Sequence, residues 1–327
     1  MAATMTADPT KREPEPAARS TGSGRQYRFG SPLRKSQRIA GYLFVLPTFV
    51  LFLGFVLWPI LYTAYLSLTR WGGFGSPRFI AFDNYSRMLG DPVARRAMIV
   101  TLVYTAVTTV VLTFLGLVIA VLVNTVWKYV GVVVRTILFI PGIVSFVVSG
   151  VLWKLIYDPN IGTLNQFLGA IGLDSLQHPW LADHKTVLPA IIVVSIWGGL
   201  GFNMLIFFAG IQGIDPSLYE AAEVDGASKA QQFWNITVPS LRVVTGLVVS
   251  LGLLNGFKAF DIIFVMTGGG PNHGSEVLGT YLYSLAFGST SGSIPQLGYA
   301  SAFSVVTMVL CTLAVIAQLW LTRRADR

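Results

Sequence analysis

The sequence predicts an all-α, polytopic integral membrane protein with six transmembrane helices and a helix-turn-helix on its cytoplasmic side. Three observations carry that expectation. Hydrophobic residues make up 53% of the 327 residues and charged residues only 12%, about half the charged share of a soluble domain. The charges are unevenly placed, since residues 1–38 hold eight of the 23 basic side chains and three of the 15 acidic ones. Six long apolar runs follow, each near the roughly 20 residues that cross about 30 Å of hydrocarbon.

Residues 1–38 include the stretches REPEPAARS and TGSGR, lack the apolar content to fold, and are expected to be a disordered cytoplasmic tail. Residues 39–327 form the membrane domain. The expected spans run from Gly41 to Tyr62, Ala97 to Asn124, Thr136 to Trp153, Thr186 to Gly210, Val243 to Met266, and Gly298 to Leu321. The first is too long for a signal-peptide core, follows a polar tail and precedes no small-x-small cleavage site, so it is expected to be retained. Pro47, Pro59 and Pro141-Gly142 predict bent helices, whether for packing or for gating. Gly198, Gly199 and Gly201 on the fourth span, and Gly246, Gly252 and Gly256 on the fifth, predict close helix approach.

Orientation follows from the loops, because basic segments resist translocation. A cytoplasmic N-terminus places 15 Lys/Arg inside and six outside, with Lys154 and Lys258 uncounted at span ends. Six spans then return the C-terminus to the cytoplasm. The first outer loop is the exception, holding Arg70, Arg78, Arg87, Arg95 and Arg96.

Between spans four and five lies the segment DPSLYEAAEVDGASKAQQFWNITVPSLR, Asp215 to Arg242. Asp215 is an N-cap residue and Pro216 suits the first helical position. Asp225-Gly226 signals a tight turn. Ser228 with Gln231 forms a capping-box pattern that opens a second helix through Phe233, Trp234 and Ile236, ended by Pro239. The product is a compact helix-turn-helix; the alternative is an interfacial helix with Phe233 and Trp234 among lipid head groups.

The string Glu220-Ala221-Ala222, three residues, Gly226, nine residues, Ile236 and then Pro239 resembles the EAA signature of the membrane-spanning subunits of bacterial ABC importers. FDNYSRMLGDP from Phe82, GFNMLIFFAGIQGID from Gly201 and FKAFDIIFVMTGGGP from Phe257 are similar to phrases of the carbohydrate-uptake, maltose-type permeases. Val238 stands where leucine is usual, and Val243 where many members have proline. The chain is similar to the compact six-span members. The resemblance implies one permease half of an ATP-driven importer in the cytoplasmic (inner) membrane, translocating a sugar or sugar-like polyol. It implies a second permease chain as a heterodimer, two ATP-binding subunits and an extracytoplasmic solute-binding protein. It also implies that the first loop helix, with Glu220, Ala221 and Ala222, docks on an ATPase, with Asp225 and Gly226 making the turn. A permease for another small polar solute, or a secondary transporter, is the alternative.

Composition excludes much else. The +8 net charge offers no basic face to track nucleic-acid phosphates. Cys311 alone gives no disulfide or cysteine cage, and His178, His184 and His273 show no ligand spacing. No phosphate-binding loop is present, so no cofactor is expected in this chain, and ATP and Mg belong to a partner. A membrane enzyme would need clustered His, Asp or Glu, and no cluster is found. Candidates for the substrate pathway are Trp197, Asn203, Asn255, Lys258 and Asp261, which offer amides and an aromatic face to a sugar. Lys258 and Asp261, three apart, either pair on one helical face or border a polar cavity. The glycine- and serine-rich stretch Thr267 to Gln296 is either a docking surface for the binding protein or a plain connector.

Overall fold

The computed structural model describes residues 35–288 and 294–325. Most of the expected tail lies outside the described residues, although helix α1 already begins at Lys35. The chain divides into two units at Val56/Leu57.

In the first unit, α1 (Lys35–Phe52) carries Pro47 within it. A π-helical turn, Leu53–Leu57, follows and precedes Pro59, which sits in the first turn of α2 (Trp58–Ser67). A wider turn is one way to accommodate a residue that lacks an N–H.

The second unit continues with a two-stranded hairpin, β1 (Thr69–Arg70) and β2 (Arg78–Phe79), then α3 (Asp83–Gly90). Helix α4 (Pro92–Thr125) has 34 residues, about 51 Å at the α-helical rise. Next come α5 (Lys128–Ile143), α6 (Phe146–Ile156) and α7 (Thr163–Ala170). Helix α8 (Val187–Gln212) leads to the short helices α9 (Pro216–Val224), α10 (Lys229–Gln232) and α11 (Val238–Ser240). Helices α12 (Arg242–Phe257), α13 (Asp261–Thr267), α14 (Leu278–Phe287) and α15 (Leu297–Ala325) complete it.

Among the described residues, four helices are long and apolar enough to cross a membrane, or six if two bent pairs each count as one span. The four are Gly41–Ser67, Pro92–Thr125, Val187–Gln212 and Leu297–Trp320, which match the first, second, fourth and sixth expected spans. The third is not a straight helix. It breaks at Val144 and Ser145 and turns by 97°, just past Pro141-Gly142, with the Ser145 hydroxyl accepting the Val147 N–H to start α6. The fifth expected helix stops at Phe257, not Met266, and α13 starts afresh.

Helix α4 is the hub, packing against α8, α12, α14 and α5. One apolar cluster joins Val100 and Tyr104 to Ile191, Val194, Ile263 and Met266; another joins Ala120 to Met204, Phe207, Leu241 and Val248. Close approaches are present at Gly199, Gly201, Gly252 and Gly256. A Cβ on Gly201 would overlap the Leu138 carbonyl, and one on Gly256 would lie 2.5 Å from the Thr105 hydroxyl. Glycine there lets α8 meet α5 and α12 meet α4 backbone-first.

Candidate functional site

The segment after α8 folds through local hydrogen bonds. Asp215 caps α9, accepting the Ser217 N–H at 3.0 Å, and hydrogen bonding from Ser217 holds its carboxyl below the usual range. The helix ends at Val224, and Gly226 turns the chain at φ +76°, a left-handed conformation that penalises any Cβ. Ser228 and Gln231 form the reciprocal capping box that opens α10. Two contacts close the pair of helices: the Tyr219 and Thr237 hydroxyls meet at 2.9 Å, and Lys229 ion-pairs with Glu223. The Lys229 hydrogen bond and charge hold Glu223 below its ordinary value.

This closure leaves Glu220, Ala221, Asp225 and Gly226 exposed, with Ala222 half-buried. Val224 is 89% exposed at the tip. Ile236 is half-buried and Pro239 exposed. Pro239 does not end the second helix as expected. A π turn over Phe233–Thr237 precedes it, the helix continues to Ser240, and the chain bends by 66° into α12. Trp234 is 66% exposed, while Phe233 packs edge-on against it at 5.1 Å.

The five pathway candidates divide. Trp197 meets Trp153 edge-to-face at 5.6 Å, and Asn203 donates to the Gly199 carbonyl of its own helix at 2.8 Å, with its Cβ against Gly116. Both make helix-packing contacts and are half-buried. Asn255, Lys258 and Asp261 are exposed around the break between α12 and α13. Among the described residues Lys258 and Asp261 form no ion pair, which corrects the expected pairing. A spacing of three pairs two side chains only within one continuous helix, whereas Lys258 is the C-cap of α12 and Asp261 opens α13. Each charge sits at the helix end whose dipole favours it.

Sequence reasoning missed one polar assembly. Asp91 caps α4 by accepting the Val93 and Ala94 N–H groups, and its other oxygen accepts Tyr281 at 2.5 Å and Tyr299 at 2.8 Å. Burial works to raise this carboxyl, but the hydrogen bonds from Tyr281, Tyr299 and the backbone outweigh it and hold Asp91 below its ordinary value. The available signal was Asp91-Pro92, the same cap-and-proline pair as Asp215-Pro216. In the stretch from Thr267, Gly268 to Glu276 is cross-bonded, with the Ser275 hydroxyl at 2.7 Å from that of Thr267, and α14 follows. Residues 289–293 lie outside the described residues.

A family model for the binding-protein-dependent transport system inner membrane component matches residues 112–327. The chain belongs to that family. This permease is 39% identical over 280 residues to a probable ABC transporter permease protein, YurN, of Bacillus subtilis, covering 85% of this chain and 94% of the relative. It is 33% identical over 281 residues to the trehalose/maltose transport system permease MalF of Thermococcus litoralis, covering 86% and 92%. It is 32% identical over 335 residues to the diacetylchitobiose uptake permease NgcF of Streptomyces coelicolor, covering 98% and 90%. The crystal structure of a bacterial ABC transporter that imports alginate, an acidic polysaccharide, superposes with a TM-score of 0.77 at 25% identity, over 89% of the permease and 98% of that chain. The permease is therefore a multi-pass transport component of a binding-protein-dependent system and not an enzyme.

Proposed function

We propose that this permease is one half of the pore of an ATP-driven importer for a sugar or sugar-like polyol, completed by a second permease chain. Two separate ATP-binding subunits supply the energy, with ATP and Mg bound there and no cofactor in this chain. The permease lies in the cytoplasmic membrane with both termini inside, as the 15-to-6 distribution of Lys/Arg favours. Support for the sugar class comes from the relatives named for trehalose/maltose and diacetylchitobiose uptake. The exposed Asn255, Lys258 and Asp261 fit the polar path, because polar groups at the end of a span face water or protein in preference to lipid.

The observation that carries the coupling role is the folded pair α9–α10. It is braced by Tyr219 with Thr237 and Glu223 with Lys229, and it presents Glu220 and Ala221 outward. A braced element transmits displacement; a loose loop absorbs it. Gly226→Val, which strains the turn, and Glu220→Lys, which reverses a surface charge, are the test variants. Both are expected to insert at wild-type levels, to capture less ATPase subunit in pull-downs, and to stop uptake. Normal ATPase capture and uptake in both would sink the coupling role.

A further inference from the structure

The five arginines between spans one and two run against the basic-inside distribution, and the fold gives three of them a common setting. In the β1–β2 hairpin Arg70 stands directly opposite Arg78, a like-charge cross-strand pair that costs stability. Arg70 also lines a cleft of about 600 Å³ with Trp71, Asp83, Arg87, Gln296 and Tyr299. The Arg87 guanidinium lies 4.3 Å over the Tyr299 ring and donates to the Gln296 side chain at 2.7 Å, so its position is fixed. Among the described residues none of Arg70, Arg78 and Arg87 has a carboxylate partner.

Trp71 and Tyr299 bring aromatic rings to the lining, and the same loop exposes Phe74 at 92%, Phe82 at 71% and Phe79 at 64%. Arginine with large aromatic side chains is the composition of protein contact surfaces. Asp83 inside the cleft opposes a purely anionic occupant such as a phosphate, whereas a polypeptide brings carboxylates for the arginines and N–H groups for Asp83.

We propose that this arginine cleft on the first loop is a docking site for an acidic segment of the solute-binding protein. This rests on the orientation under Proposed function, which puts the loop outside. The carboxylates of the partner would relieve the Arg70–Arg78 opposition. Such contacts act mainly on the rate of encounter and are weakened by salt.

The test uses the assembled transporter in phosphatidylcholine nanodiscs, with the solute-binding protein that stimulates its ATP hydrolysis as the probe. The double variant Arg70→Glu with Arg78→Glu is expected to lower affinity by about tenfold or more at about 50 mM salt, and to flatten the dependence of affinity on salt. Lysine substitutions in the acidic segment of the binding protein should recover part of the loss. If the reversed pair fails to assemble, Arg70→Gln with Arg78→Gln carries the same test with a smaller loss. Unchanged affinity and salt dependence in an assembled variant would overturn the proposal. So would a loss seen only when phosphatidylglycerol is included, which would assign the cleft to lipid head groups. Labelling of Phe74→Cys by an impermeant maleimide in intact cells, in a Cys311→Ser background, separates the underlying reading. Labelling with no affinity change defeats the cleft alone, and absence of labelling defeats the orientation and the cleft with it.

Discussion

Two aspartates of this permease precede a proline and cap the helix that the proline opens, yet they belong to differently built regions. Asp215 opens the α9–α11 segment, where among the described residues the Tyr219–Thr237 contact joins side chains only 18 residues apart. Asp91 receives hydroxyls from 190 and 208 residues away and ties α4 to α14 and α15. The first region is secured by its own sequence; the second exists only when distant helices have packed. A locally secured element can be displaced or altered without unfolding the rest, which suits a part that is pushed by a partner. A clasp made of long-range bonds suits a frame that stays fixed.

The largest expected contrast is between two glycines. A side chain on Gly298 would overlap the backbone carbonyl of Thr69, which has nowhere to move, whereas an added Cβ on Gly226 meets nothing within 4 Å. Gly298→Val should cost about 3 kcal/mol and show as aggregation by size-exclusion chromatography in detergent. Gly226→Val should cost about 1–2 kcal/mol of backbone strain and elute as wild type. Equal behaviour of the two would break the comparison.

Next are the aspartates. Asp91→Ala removes a cap and leaves two tyrosine hydroxyls unpaired, and should cost about 2 kcal/mol, read as a lower melting temperature in detergent. Asp215→Ala, at an exposed site, should lower it less while reducing ATPase capture. A larger melting shift for Asp215→Ala than for Asp91→Ala would invert the assignment of frame and lever.

Acidity sharpens the same distinction. Asp91, Asp215 and Glu223 are all held below their ordinary values in the folded chain. Each therefore binds fewer protons folded than unfolded near the carboxylate range. Their stabilisation is complete above the unfolded pKa of about 4 and is lost as pH falls through the lowered folded values. Melting temperature should be insensitive to these groups from pH 7 to 5 and fall below about pH 4. The Asp91→Asn variant should lose part of that acid-dependent fall, and Glu223→Gln almost none.

The smallest expected effect concerns Lys258 and Asp261. With no ion pair between them, stability losses of the single reversals should add in the double variant within about 0.5 kcal/mol. Rescue by the double reversal in thermal unfolding would restore the pairing that the structure removes.

Legibility in the sequence follows the range of the interactions. Four spans were readable because crossing hydrocarbon demands length and apolarity, both counted along the chain. The turn at Gly226 and the Ser228–Gln231 box were readable because their partners lie within a few residues. The breaks were less so. Pro141-Gly142 announced a bend, but its 97° size and its site at Val144 depend on α6 turning to pack beneath α13. The gap at Lys258–Phe260 carried no proline, and it turned an expected ion pair into two separate helix ends. Trp197 and Asn203 are candidates because their chemistry suits a sugar, and only the fold shows that they also pack, against Trp153 and Gly116.

By itself the sequence determined that this chain is a membrane protein, where most spans run, and how Asp215 to Gln231 is capped and turned, because lipid and local hydrogen bonds act on runs of neighbouring residues. Only tertiary structure decided that Asp91 meets Tyr281 and Tyr299, that Arg70 and Arg87 share a cleft with Gln296 and Tyr299, and that α8 and α12 touch their neighbours at bare backbone. Those contacts join residues whose separation in sequence carries no information about their distance in space.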